Sequence, residues 1–316
     1  MAGNVVSVDR VLTLLTPDAR GFPSRLLRFA SAATLQAAGT GWYYDAAAKI
    51  IYVAMGGGSV QANRATLKAL YLNAASTSRC LVYGSRIAFD GVYFDGCQIQ
   101  QLENAGGLAN EHWLNNCTMF ASTYGGYANG VNGGTCIASN VRIHASGSDG
   151  FNYNWSATGA GGNMALGVEA NCHVTDAGDA MGFGTGISSN NNGSSIHEGY
   201  VARFGSIYEG SFGPDIADTS ISGIPSISWQ VGCIARSGHP AGNPVGWGFY
   251  GIGGATAVTA GTRLAWLDTC FGGGDANGAL RLEAWAAAKT FNCSFDLAPV
   301  LYAGSTAPVS YLPGTP

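Results

Sequence analysis

Charge is what this chain has least of. Asp, Glu, Lys and Arg make up 11% of its 316 residues, about half the share usual in globular domains. Helical surfaces are normally covered by long charged side chains, so the shortage argues against a helical protein. Lysine is scarcest, with three against twelve arginines, and the net charge is −4. No basic stripe results, which excludes the electrostatic footprint of a nucleic-acid partner. Apolar runs of about 18 residues or more are missing, so no membrane span is expected. Also missing are CxxC pairs and closely spaced Cys/His sets, which leaves zinc-finger and redox-motif readings without support. The opening "MAGNVVSVDRVLTLLTPDARG" lacks a signal peptide's order of basic, apolar and small segments, and nothing about location is drawn from it.

What the chain does have is glycine, 48 residues of it, beside a 47% hydrophobic content. That balance favours many short strands joined by tight turns around a sizeable core. The cysteines serve as a ruler. "YFDGCQI" at 97, "WLNNCTM" at 117, "VEANCHV" at 172, "WQVGCIA" at 233, "WLDTCFG" at 270 and "KTFNCSF" at 293 share one frame. "IASNVRI" places Val141 in the cysteine's position. The intervals along this series are 20, 24, 31, 61, 37 and 23, and the longest spans two turns, with Phe204 of "GYVARFGSIY" as the missing member. A loose, strand-rich, glycine-punctuated repeat is a solenoid signature. The recurrence of equivalent strands points to an all-β chain, a parallel β-helix. Its rungs would stack roughly 4.8 Å apart, making the Cys, Val and Phe column an interior ladder of small buried hydrophobes. Asn116, Asn140, Asn171 and Asn292 then serve turns or asparagine stacks.

Residues 1–60 differ from the rest and read as an N-terminal cap and first rungs. "RLLRFASAATLQAAGTG" predicts a short helix, and "GWYYDAAAKIIYVAMGGG" a strand, turn and strand. Residues 61–300 form the β-helix, with "IAFDGVYF" an alternating strand, and 301–316 an irregular tail. Loops such as "STYGGYANGVNGG", "WSATGAGGN", "GISSNNNGSS" and "SGHPAGNPVGWG" lengthen individual rungs, and long loops on a rigid scaffold are where function tends to sit.

Aligned on the ladder, Asp149, Asp179, Asp215 and Asp275 fall at similar turn-to-strand positions. An Asp before a small residue also suits a tight turn, where its side chain bonds the local backbone. On adjacent rungs, however, Asp149 and Asp179 would lie close enough to split their pKa values into an acid and a base, as glycoside hydrolysis requires. Asp176 supplies a third carboxylate. His197 and Glu198 follow one rung on, where the imidazole would orient a carboxylate or act as a base. Arg203 would hold a carboxylate-bearing sugar or pair with Asp or Glu. Tyr153, Asn154 and Trp155 open a glycine-rich loop, with Trp155 offering a flat sugar-stacking surface. No metal ligand set or cofactor motif is read.

The rung pattern resembles the right-handed parallel β-helix proteins of the pectate-lyase-like superfamily over nearly the whole chain. "SDGFNYN" at 148–154 is similar to the Asn-Thr-Asp motif of polygalacturonase-type glycoside hydrolases, "GDAMGFG" at 178–184 to their Gly-Asp-Asp segment, and "SSIHEGYV" at 194–201 stands where they carry Gly-His-Gly. Ala180 replaces the second Asp of the pair, and no Arg-Ile-Lys motif follows. The resemblance implies a general acid at Asp149, water activation by Asp179 and support from His197. The chain also resembles phage tailspike depolymerases. That implies a polysaccharide substrate, an extracellular place of action (secreted or on a virion tail) and a homotrimer, with no nucleic-acid partner. Lyase chemistry at Arg203 or His197, or a fibre that only binds glycans, are the competing readings.

Overall fold

The computed structural model describes residues 10–17, 23–45, 47–48, 50–56, 68–72, 79–83, 86–95, 98–102, 111–120, 127–128, 134–146, 148–154, 165–178, 192–197, 199–219, 226–236, 248–252, 263–273, 279–283, 286–297, 299–301 and 309–311. The chain divides into two compact units, Met1–Ser78 and Arg79–Pro316.

The first unit contains the expected helix and hairpin. Helix Ala32–Ala38 starts at a reciprocal capping box between Ser31 and Thr34 and stops at Gly39, whose φ of 72° suits glycine. Strands Thr40–Asp45 and Ile50–Met55 pair antiparallel around Asp45, whose carboxylate accepts from the amides of Ala47 and Ala48. Trp42 is fully buried with Leu26 and Tyr44, and its indole donates to the Leu26 carbonyl at 3.0 Å. A second antiparallel sheet joins Pro23–Arg25, Arg10–Pro17 and Lys68–Leu72.

In the second unit the strands cycle through three sheets. Arg79–Tyr83 begins the first sheet, Arg86–Asp90 the second and Tyr93–Asp95 the third; each later strand then pairs parallel with the strand three places before it. The stacks reach nine, nine and eight strands respectively. This arrangement of stacked parallel sheets is compatible with a β-helix. "IAFDGVYF", expected as one strand, breaks at Gly91 into Arg86–Asp90 and Tyr93–Asp95. Strand Val309–Tyr311 extends the second sheet into the segment expected to be irregular.

The corner between the second and third sheets explains the ruler. Gly91, Asn116, Asn140, Asn171, Gly205, Gly232, Thr269 and Asn292 form one column, every φ between 48° and 67°. Left-handed backbone favours glycine and asparagine, so the sequence repeats them. The next residue turns inward, giving the column Val92, Cys117, Val141, Cys172, Ser206, Cys233, Cys270 and Cys293. Each carbonyl from Val92 to Cys270 accepts the amide of the strand one rung on, as in Thr118 to Val92 at 2.9 Å and Ser294 to Cys270 at 2.9 Å. The thiols also donate to backbone carbonyls: Cys233 to Arg203 at 3.2 Å, Cys270 to Gln230 at 3.3 Å and Cys293 to Leu267 at 3.3 Å. A small side chain with a weak donor therefore suits the position.

Two members of the expected ladder are corrected. The missing rung is held by Ser206, not Phe204. The Ser206 hydroxyl donates to the Phe204 carbonyl at 3.1 Å as the thiols do, whereas Phe204 points outward and is exposed. In the first complete turn the position belongs to Val92, two residues beyond Asp90; Cys97 lies outside the described residues. The interval of 61 does span two turns, and the ladder cysteines from 117 to 293 are free thiols, as is Cys136 inside the second sheet.

Candidate functional site

Asp149 is buried and fully engaged in joining two rungs. Its Oδ1 accepts the Asn192 amide at 2.8 Å and the Asn192 side chain at 3.2 Å, while Oδ2 accepts Ser195 Oγ at 3.0 Å and the Asn152 side chain. A carboxylate this saturated holds a turn, and its oxygens have no surface from which to reach a polymer. Asp215 is also buried, but lies one residue before its strand Ile216–Thr219, where Asp149 lies two before Phe151–Asn154, so the two frames differ. His197 ends strand Ser194–His197, half-buried and paired in register with Asn154 and Thr219. Asp179, Glu198, Trp155 and Asp275 lie outside the described residues.

Arg203 and Tyr153, both offered as substrate-binding residues, are turned into the core with no exposure, and for Arg203 the alternative of pairing with Asp or Glu holds. Alternation in Gly199–Phe204 points Val201 and Arg203 inward. Arg203 Nη2 donates to Asp218 Oδ1 at 3.0 Å, and its Nε donates to Ser194 Oγ at 2.9 Å and lies 3.6 Å from Glu169 Oε1. Gln230, oriented to satisfy both ends of its amide, accepts from Arg203 Nη1 at 3.0 Å. Ser194 and Tyr208 donate to Glu169 and Ser228 donates to Asp218. Burial pushes the Glu169 carboxyl up, opposed by the Arg203 charge and by hydrogen bonds from Ser194, Tyr208 and Tyr153. Buried ions survive only when paired and bonded in this way. This cluster is internal architecture.

Accessible chemistry appears on the outer face of the third sheet. In strands Arg142–His144, His173–Thr175 and Ile207–Glu209 the middle residue is buried and its neighbours face out. Register aligns Arg142, His173 and Ile207, and beside them His144, Thr175 and Glu209. His173 Nε2 lies 2.8 Å from Glu209 Oε1, both side chains somewhat over one-third exposed. His144 Nδ1 lies 3.8 Å from Asp176 Oδ2, hydrogen-bonds Thr175 Oγ1, and its ring stacks on Phe120 at 5.3 Å. Asp176, which the sequence offered as a third carboxylate, thus joins a histidine from the preceding rung. The position has a φ of 55°, which turns the chain at the end of the strand. Beneath it, Asp215 accepts the Ser211 amide at 3.1 Å. Burial pushes its carboxyl well above the usual range, and the charges of Glu209 and Asp176 act in the same direction. Two imidazole–carboxylate pairs on successive rungs are a group able to move protons.

The outer face of the second sheet is different. Register aligns Ala88, Trp113, Ile137, Val168, Ala202, Trp229, Trp266 and Lys289 in one outward column. Trp113 is 51% exposed, Trp229 39% and Trp266 37%. Tyr200 stacks beside Trp229 at 6.3 Å, and the Lys289 ammonium sits 4.3 Å from the centre of the Trp266 ring. Around Trp229 and Trp266 lies a hollow of about 480 Å³, bordered by Val231, Asp268, Lys289 and Phe291. These tryptophans stand four residues before Cys117, Cys233 and Cys270, within the very stretches that defined the ruler, "WLNNC", "WQVGC" and "WLDTC". An in-phase tryptophan one place off an inward position was the available signal. His144, His173 and Glu209 carried none, because their meeting depends on rung register. Among the described residues no group of three His, Cys, Asp or Glu is placed to hold a metal, and no helix is long and apolar enough to cross a membrane. The chain matches no family model, no curated protein and no solved structure.

Proposed function

We propose that the three stacked sheets close into a right-handed parallel β-helix whose second-sheet face binds polysaccharide. The observation that carries this reading is the hollow around Trp229 and Trp266. Leaving a tryptophan this exposed forgoes roughly 2 kcal/mol of apolar burial, and the ladder repeats the choice at Trp113, Trp229 and Trp266. Pyranose rings present an apolar C–H face to a flat indole and a rim of hydroxyls to polar groups. Asp268 and Lys289 border the hollow and would supply an acceptor and a donor at that rim. Extracellular action and a homotrimer belong to the same proposal and rest on the resemblance to tailspikes. The test is binding of the intact protein to immobilised acidic and neutral polysaccharides. Trp229→Ala and Trp266→Ala are expected each to weaken retention at least tenfold; unchanged retention in both would remove the reading.

A second reading, cleavage of the bound polymer, is favoured by the paired imidazoles and carboxylates of the third sheet. Asp176 and Glu209 are its candidate acid and base in place of the buried Asp149, while Asp179 lies outside the described residues. Release of reducing ends without absorbance near 235 nm marks hydrolysis, and both signals together mark a lyase. For an active protein, Asp176→Asn or Glu209→Gln should cut the rate by about 10²–10⁴, whereas a rate that survives both variants places the chemistry elsewhere.

A further inference from the structure

The corner column carries cysteine at scattered rungs until its last three positions, Cys233, Cys270 and Cys293, which occupy successive rungs. Stacked strands set neighbouring Cα atoms about 4.8 Å apart, inside the roughly 4.4–6.8 Å range that a disulfide spans. The Ser294 amide donates to the Cys270 carbonyl at 2.9 Å, so Cys293 stands on the rung directly beside Cys270. Cys233 and Cys270 are buried, while Cys293 is only partly so, which makes it the member that solvent reaches. Its thiol is pushed down to about 7, chiefly by the neighbouring Cys270 thiol. The thiolate is the nucleophile in disulfide exchange.

We propose that Cys293 and Cys270 are a redox pair: Cys293 is the attacking thiol, Cys270 the resolving one, and a low-molecular-weight disulfide the oxidant. The Cys293 thiolate attacks one sulfur of glutathione disulfide, forming a mixed disulfide and expelling one glutathione thiolate. Cys270 gives up its proton, which the expelled thiolate can accept, and attacks Cys293 Sγ. The Cys270–Cys293 bond forms and the second glutathione leaves. Two protein thiols are oxidised, and one glutathione disulfide is reduced to two thiols. The product ties strand Phe271–Gly273 to Ser294–Phe295 across the end of the third sheet.

The test treats the folded full chain with glutathione disulfide and follows it by intact mass and peptide mapping. Serine is a suitable replacement, because Ser206 already fills this column with its hydroxyl bonded as the thiols are. The wild type is expected to lose two hydrogens, to yield a Cys270–Cys293 peptide, and to unfold at a higher temperature until dithiothreitol reverses the change. Cys270→Ser should stop at a glutathione adduct on Cys293, and Cys293→Ser should react at least tenfold more slowly. Persistence of both free thiols in the wild type, a Cys233–Cys270 product, or unchanged oxidation of Cys293→Ser would each overturn the pair.

Discussion

Two stretches of one inward column differ in what they bury. Two residues before the left-handed corner position, the second sheet carries Leu114 and Ala138, then Glu169, Arg203 and Gln230, then Leu267 and Thr290. The backbone is the same throughout and every member is buried. The flanking rungs fill the space with apolar atoms or one hydroxyl, and the middle rungs with an ion cluster completed from the first sheet by Asp218. A parallel stack sets each residue against its counterparts one rung above and below, so a charge is tolerable only where the neighbouring rung supplies its complement. One-rung slippage would part Arg203 from Glu169 and Asp218 and leave buried charges without their partners, which gives the cluster a role in choosing register.

Arg203→Met attacks the difference most directly. It leaves Glu169 and Asp218 buried without their cation and should lower stability by about 3–5 kcal/mol, read from urea unfolding. Replacing all three with Glu169→Leu, Arg203→Met and Asp218→Leu should recover most of that loss, since apolar packing of similar volume is often neutral or stabilising. Failure to recover would mean that the ions do more than fill space. Asp215 sharpens the comparison as a buried carboxyl whose neighbours Glu209 and Asp176 share its sign. With its folded pKa raised, the unfolded chain releases the proton first. The stability Asp215 contributes is therefore full below pH 4 or so and declines as pH rises toward the folded pKa, by about 1.4 kcal/mol per unit. Asp215→Asn should flatten that slope as pH rises above about 4; an unaltered pH profile would show that the carboxyl is not held neutral. The smallest effect concerns Thr269, whose φ of 53° holds a β-branched residue where the column otherwise uses Asn or Gly. Thr269→Gly is expected to stabilise by up to about 1 kcal/mol, measured as a rise in unfolding temperature, because the Thr269–Asp268 hydrogen bond is exposed. A drop would show that this bond outweighs the strain.

The corner was legible because its two demands, left-handed backbone and a small inward side chain, each restrict residue type. At Phe204 apolar character and the turn residue Gly205 point to different frames, and Gly205 is the better guide. Arg203 and Tyr153 show a related conflict: alternation in "GYVARF" and "FNYN" points both inward, yet a charge or hydroxyl in a strand reads as surface until its partners, such as Asp218 and Glu169 for Arg203, are known. Asp149 looked like an acid and serves as a turn. Asp176 meets His144, a companion that spacing along the chain does not indicate.

By itself, the sequence determined the all-β character, the repeat, the inward cysteine column and the helix and hairpin of the first unit. These rest on local backbone preference and period-two burial. Only the tertiary structure decided which charges meet inside, which tryptophans share an outer column, and that His144 faces Asp176 and His173 faces Glu209. Those contacts join residues 15 to 37 positions apart, and rung lengths vary too much for spacing along the chain to predict which side chains stack.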